Sequence, residues 1–265
     1  VDLSRVRQVA HSAVPLAPAA IPRQVLPLSS APAPAVPPSP IRIGVARDKA
    51  FGFYYPDDLL ALEQAGAVIV PIDTLQDTRL PPVDGLFIGG GFPEMFMPQL
   101  QANASMRGSI RAAIDAGLPV YAECGGLMYL ARTLRWKDQV YDMVGAIPAD
   151  VVMHARPVGR GYVELQATGE APWSAAAGSG AAMLRGHEFH YSSLENVAPE
   201  LKFAYRVLRG HGVDGQRDGI VHRNVVASYA HLRNAAGSGW AEAFAAFVLA
   251  RKVALEQLAD SAAAA

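Results

Sequence analysis

One cysteine stands in a chain of 265 residues. No internal disulfide can form, so a packed core has to hold the fold. A lone thiol with histidines elsewhere is a candidate nucleophile rather than a staple. Net charge is scarce too: 23 Lys and Arg face 24 Asp and Glu, a formal −1 at neutral pH. A chain so balanced has no field to gather nucleic acid or an anionic membrane, and neither is expected as a partner. Long unbroken apolar runs are missing. The C-terminal stretch from Trp240 to Leu258 is interrupted by Glu242, Arg251, Lys252 and Glu256, which argues against a membrane helix. The N-terminus lacks the compact apolar core of a secretion signal, so a cytoplasmic protein is expected. Asn103-Ala104-Ser105 matches a glycosylation sequon, which carries no weight without secretion. What the chain does have is apolar: 51% of residues are hydrophobic against 18% charged, ample for a buried core.

Composition shifts sharply near the N-terminus. Pro15 to Pro40 holds nine of the chain's 20 prolines. Such a run is biased to extended polyproline conformation and cannot pack a core. Before it, Val1 to Ser12 reads as a short helix with Leu3, Val6 and Val9 on one side. The expected organisation is a tail of an upstream domain at 1–14, a linker at 15–40 and one domain at 41–260. A plain N-terminal extension is the alternative reading of the first two parts.

From Ile41 onward short apolar runs alternate with helical stretches. Ile41–Ala46, Ala67–Ile72, Asp84–Ile88 and Pro119–Glu123 read as strands. Helices are expected at Asp57–Gly66, from Met97 to Gly117, and at Gly125–Arg135. This alternation indicates an α/β fold with a mostly parallel central sheet covered by helices on both faces. Beyond Tyr141 the pattern turns to strands at Tyr162–Leu165, Phe189–Tyr191 and Phe203–Val207, with two more in Ile220–Tyr229. They form a mixed or antiparallel extension. Ser238 is positioned to cap a last helix carrying Trp240, Phe244, Phe247, Val248 and Leu255.

Four segments carry chemistry. Tyr121-Ala122-Glu123-Cys124-Gly125-Gly126 stands where a strand ends and a helix begins, the setting of a nucleophile elbow. Ala122 and Gly126, two residues to either side of Cys124, are small enough to let strand and helix approach. The helix N-terminus beyond would favour a thiolate. The plain alternative is a core cysteine before a glycine turn. Gly89-Gly90-Gly91-Phe92-Pro93-Glu94 bares backbone N–H groups after the third strand. It reads as one half of an oxyanion hole, with the Gly125 N–H as the other. No Lys-Ser or Lys-Thr follows, so it is not a P-loop. Ser228-Tyr229-Ala230-His231-Leu232-Arg233 places a histidine after an apolar run, where it can deprotonate a thiol and later protonate a leaving amine. Arg185-Gly186-His187-Glu188-Phe189-His190-Tyr191-Ser192 resembles a metal motif only in passing. It is not HExxH, and on a strand His187 and His190 point to opposite faces. No metal is expected. A substrate-site or domain-interface strand carrying Arg185, His187, Glu188, His190 and Tyr191 is the preferred reading.

Taken together, GGGFPE (89–94), YAECGGLMYL (121–130), RPVGRGYVE (156–164), RGHEFHYS (185–192) and ASYAHL (227–232) resemble, in order, a known family. It is the class I glutamine amidotransferase domain of the cobyrinic and hydrogenobyrinic acid a,c-diamide synthases. The resemblance runs from Ile41 to about Val253, and Val1–Ala10 is similar to the end of that family's synthetase domain. It implies a flavodoxin-like fold in which Cys124 attacks glutamine, His231 is the base, a thioester forms and ammonia passes to the synthetase domain. That domain would use ATP and magnesium to activate corrin carboxylates. No P-loop occurs in this chain, so no cofactor is expected here, and the partners implied are glutamine, the synthetase domain and, through it, a corrinoid. Cobyric acid synthase and nickel-sirohydrochlorin diamide synthase domains are the related alternatives, and a non-catalytic binding domain of the same fold is another. Many class I amidotransferases carry a Glu two residues after the histidine. Here Arg233 takes that position, which leaves open what orients His231.

Overall fold

The computed structural model describes residues 2–13, 40–174, 182–234 and 239–263. They belong to two units, 1–38 and 39–265. The first holds one helix, α1 (Leu3–Ser12), capped by Asp2, whose carboxylate accepts the N–H groups of Ser4 and Arg5. Most of the expected linker, and Ser238, lie outside the described residues. No helix among the described residues is long and apolar enough to cross a membrane.

The second unit opens with β1 (Ile41–Ala46), β2 (Phe51–Phe53), α2 (Pro56–Gln64), β3 (Ala67–Ile72), β4 (Gly85–Ile88) and β5 (Gly90–Gly91). Then come α3 (Met97–Ala102), α4 (Ala104–Asp115), β6 (Val120–Glu123) and α5 (Gly125–Leu130). Strands β3, β1, β4 and β6 lie side by side and parallel. Their alternation sorts side chains between two cores, as parallel strands buried on both faces require. Leu86, Ile88, Val120 and Ala122 meet Leu100, Ile110 and Leu127 from α3, α4 and α5. Ile43, Phe87 and Tyr121 meet Leu62 of α2 and, across the sheet, Trp240 and Phe244 of the last helix. Each such buried large side chain contributes about 1.5–3 kcal/mol.

Two expected helices differ. The one from Met97 to Gly117 is broken at Asn103, whose side-chain oxygen accepts the Met106 N–H while its amide donates to the Thr74 and Asp77 carbonyls. An asparagine so engaged starts a new helix rather than continuing the old one. The helix after Cys124 ends at Leu130 instead of Arg135, and Ala131–Trp136 forms β7. There β7 pairs with β8 (Gln139–Asp142) and β9 (Ile147–Met153), and Arg132 and Thr133 bond Asp150 of β9. Cross-strand partners override a run of good helix formers.

The rest is strand-rich: β10 (Gly159–Ala167), β11 (Met183–His190), β12 (Ser192–Glu195), β13 (Lys202–Arg209), β14 (Arg217–His222), β15 (Val225–Ser228) and β16 (His231–Leu232), before α6 (Trp240–Ala263). β12 joins β9, β7 and β8 in a separate small sheet. β15 lies parallel to β6, and beyond it the main sheet runs antiparallel through β14, β13, β10 and β11 to β16. Only Tyr229 and Ala230 separate β15 from β16 in the chain, yet β16 is the far edge of the ten-stranded sheet. The sheet therefore curls until that edge returns to its middle. Buried Asp218 holds the returning turn, accepting the N–H groups of Tyr229 and Ala230.

Candidate active site

The turn from β6 into α5 puts Cys124 at φ 48°, ψ −100°. A non-glycine residue there stores about 1–3 kcal/mol of strain, the kind found where a nucleophile is held out from its strand. The Cys124 N–H donates to the Ser228 carbonyl at 2.7 Å, tying the elbow to the end of β15. Gly126 is required by contact rather than dihedral: a Cβ there would strike the Ile88 carbonyl. α5 is only six residues long, so its dipole is small, but its first N–H groups, Gly125 among them, have no partner within the helix.

The glycine loop is set by a two-stranded pairing of β2 with β5, with Phe51 opposite Gly91 and Phe53 opposite Gly90. It brings Gly91 close to the elbow, since a Cβ on Gly125 would lie 2.9 Å from the Gly91 nitrogen. Gly89 is used otherwise: its N–H donates to the Tyr54 hydroxyl at 3.0 Å. Of the three glycines, Gly90 and Gly91 line the cavity that holds Cys124.

His231 is 4% exposed and lines the same cavity as Cys124. Its Nδ1 is 3.2 Å from Oε2 of Glu123. The other carboxylate oxygen, Oε1, accepts the Leu232 N–H at 2.9 Å and the Tyr121 hydroxyl at 2.8 Å. Burial works to lower the pKa of His231, but its interactions with Cys124 and Glu123 outweigh it and lift the imidazole to about 10. His187 stacks on the same ring, centroids 4.7 Å apart, and its Nδ1 is 3.0 Å from the Tyr55 hydroxyl. Burial, then the neighbouring charge of His231, pushes the His187 pKa down. A cavity of about 170 Å³ is lined by Cys124, His231, His187, Gly90, Gly91 and Phe189. It is roomy enough for one amino-acid side chain, and the Cys124 sulfur sits 3.8 Å from the Phe189 carbonyl. His187 and His231 also face a wider cavity of about 590 Å³ beside Tyr55, Tyr162, Arg185 and Arg233.

The RGHEFHYS segment divides along β11. His187 lines the cavity that holds Cys124, while Glu188 and His190 are buried on the opposite face of the strand. Glu188 accepts the N–H groups of His211 and Gly212. The His190 Nδ1–H donates to the Ser192 carbonyl, and the ring stacks on Tyr229 at 3.8 Å. Arg185 is out in solvent, 3.8 Å from Glu164, and the Tyr191 ring lies edge-on to Phe189. Among the described residues no group of three or more His, Cys, Asp and Glu side chains is arranged to hold a metal. Sequence reasoning missed Glu123, Phe53 and Tyr55. A carboxylate in the buried run Val120-Tyr121-Ala122-Glu123 was a signal, because an ionised group placed there demands a partner.

The fold is shared with a solved glutamine amidotransferase, at TM-score 0.52 and 16% identity, over 79% of this chain and 95% of that one. A glutamine amidotransferase fold is thereby joined to a buried Cys–His pair. Residues 42–237 match the CobB/CobQ-like glutamine amidotransferase domain, and the chain belongs to that family. It is 45% identical over 246 residues to a cobyrinate a,c-diamide synthase of Magnetococcus marinus, covering 93% of this chain and 51% of that protein. A second cobyrinate a,c-diamide synthase, from Methanosarcina acetivorans, is 42% identical over 74% of this chain and 41% of its own length. The chain thus spans about half the length of these relatives or less.

Proposed function

We propose that this chain is the glutaminase part of a cobyrinate a,c-diamide synthase of cobalamin biosynthesis, working in the cytoplasm. The observation that supports it most is the strained Cys124 sharing one cavity with His231 and Gly91, with the backbone of Gly125 beside it. His231 takes the thiol proton, and the thiolate adds to the side-chain amide carbon of glutamine. The carbonyl oxygen gains the electron pair, and the N–H groups of Gly91 and Gly125 hold it. Collapse breaks the carbon–nitrogen bond, and imidazolium gives its proton to the departing ammonia. Water, deprotonated by His231, then attacks the thioester, the carbon–sulfur bond breaks, and glutamate leaves. The ammonia serves the portion of the relatives' length that this chain does not span, where ATP and magnesium would activate the corrin carboxylates.

The test is glutamate release from glutamine. Cys124→Ala should lower it by on the order of 10⁴-fold or more, and a glutamine-mimicking electrophile should label Cys124, the chain's single thiol. Retained glutaminase activity in Cys124→Ala rejects the assignment. Amide formation on a corrinoid should require the synthetase portion, ATP and magnesium in addition.

A further inference from the structure

We propose that Glu123, the residue directly before the nucleophile, is the positioning residue of this site, holding His231 in the tautomer and orientation that Cys124 needs. The inference rests on the reading of Cys124 and His231 as nucleophile and base. Its ground is geometric. Oε2 of Glu123 lies 3.2 Å from Nδ1 of His231, while Oε1 takes the N–H of Leu232, the next residue along. One carboxylate grips both the ring and the backbone that carries it. An ionised carboxylate only accepts hydrogen bonds, so Nδ1 carries the proton and Nε2 is left for the sulfur.

Among the described residues no other carboxylate takes that place. The residue two beyond the histidine is Arg233, and its guanidinium reaches out to Asp57 at 2.7 Å, about half exposed. Asp58 is buried nearby but accepts the Asn234 N–H. Burial, partly opposed by that N–H, raises its pKa to about 7. Glu123 itself is 2% exposed. A carboxylate so buried costs several kcal/mol unless it is paired and hydrogen-bonded, and its bonds to Tyr121, Leu232 and His231 are what meet that cost. Strand alternation explains its aim. Tyr121 and Glu123 share a face of β6, and that face is the one the returning β16 covers. Nucleophile and orienting carboxylate are therefore neighbours in the chain, and the rigid end of one buried strand places both.

The titratable groups that feel the charge of Glu123 are His231 from β16 and Tyr121 from β6, both hydrogen-bonded to it, and, at longer range, His187 from β11, Tyr205 from β13, Tyr54 and Tyr55 from the segment after β2, and Asp58 from α2. Burial, the leading cause in each case, raises the four tyrosines, so they stay neutral. His187 is pushed down and is neutral as well.

The experiment uses the full chain and three readouts. Glu123→Gln keeps the shape and an acceptor for Leu232 but loses the charge. It should lower kcat for glutamine hydrolysis on the order of 100-fold with KM little changed, and Glu123→Asp should recover part of the loss. The pH profile of iodoacetamide alkylation at Cys124 should shift its imidazole-linked step to lower pH in Glu123→Gln. In the unaltered chain, nitrogen NMR above the His231 pKa should show the Nδ1–H tautomer, a readout that stands even if the variants fold poorly. An Nε2–H tautomer, or a Glu123→Gln chain with wild-type kcat and alkylation profile, overturns the proposal. Neither result bears on the nucleophile, which Cys124→Ala tests separately.

Discussion

The parallel and antiparallel halves of the main sheet contribute to the site in different ways. β4 and β6 are buried on both faces, and they end in the turns that deliver the glycines and Cys124 directly. Their backbone is shaped by short turns, and only a few bonds tie it to distant chain, such as the Cys124 N–H to the Ser228 carbonyl. The antiparallel half delivers His231 and His187 only because it curls, so that its far edge, β16, meets the strand that precedes it in sequence. The proposed nucleophile is a local structure and the proposed base is a closure. A site assembled in this way is most vulnerable along the seam where the two halves meet.

Gly90 lies on that seam, and the largest effect is expected there. A Cβ at Gly90 would sit 2.6 Å from Cε1 of His231 and 3.2 Å from Cβ of Phe53. Glu123 holds the ring from behind, so either loop or imidazole must shift. Gly90→Ala should fold normally yet lose on the order of 100-fold in glutamine hydrolysis, the cost of displacing a reacting group by about 1 Å. Steady-state glutamate release beside a circular-dichroism melt checks both parts. Equal activity would mean that the loop yields freely and that the seam is not rigid.

The returning segment should also show itself in pH dependence. The folded-state pKa of His231 is raised from 6.5 to about 10. Its contribution to stability is fully present below pH 6.5 and is lost as pH rises toward 10. Burial, partly offset by backbone N–H groups, raises Asp218 from 3.8 to about 6. Its contribution is present below 3.8 and is lost as pH rises through about 6. Urea midpoints across pH 4–10 should therefore fall in two windows. His231→Asn should flatten the alkaline one, and Asp218→Asn should make the acidic one shallower, the remainder coming from Asp58, whose pKa is raised to about 7. Unchanged slopes would show that neither group is held as the geometry describes.

The smallest effect belongs to the parallel half, far from the seam. Gly108 lies on the exposed face of α4, and a Cβ there meets nothing within 4 Å. Gly108→Ala should raise stability by about 0.5–1 kcal/mol through helix propensity alone, with glutamine hydrolysis unaltered. A melt and a rate on one sample decide it, and a changed rate would mean that α4 is coupled to the site.

The legibility of the sequence follows the same division. β1 and β3 run over the residues their apolar pattern predicts, Ile41–Ala46 and Ala67–Ile72, because a short, largely apolar run is a strand signal that neighbouring residues carry by themselves. The antiparallel strands show their centres but not their ends: β11 begins at Met183, not Phe189. α5 gives way to β7 because Arg132 and Thr133 find their partner in Asp150, a contact no local window contains. At the site, Cys124 and the glycine loop stand out as short motifs. Glu123 does not, because its meaning comes from His231, 108 residues away.

The sequence by itself determined the class of fold, the elbow around Cys124 and the glycines before Phe92, since periodicity, small residues and a turn are properties of neighbouring residues. Only the tertiary structure decided which histidine of the RGHEFHYS segment faces the thiol, that Gly89 spends its N–H on Tyr54, and which carboxylate holds His231. Those outcomes depend on how far a ten-stranded sheet curls before its edge comes home. That curl is the sum of many pairings, and no single stretch of residues contains it.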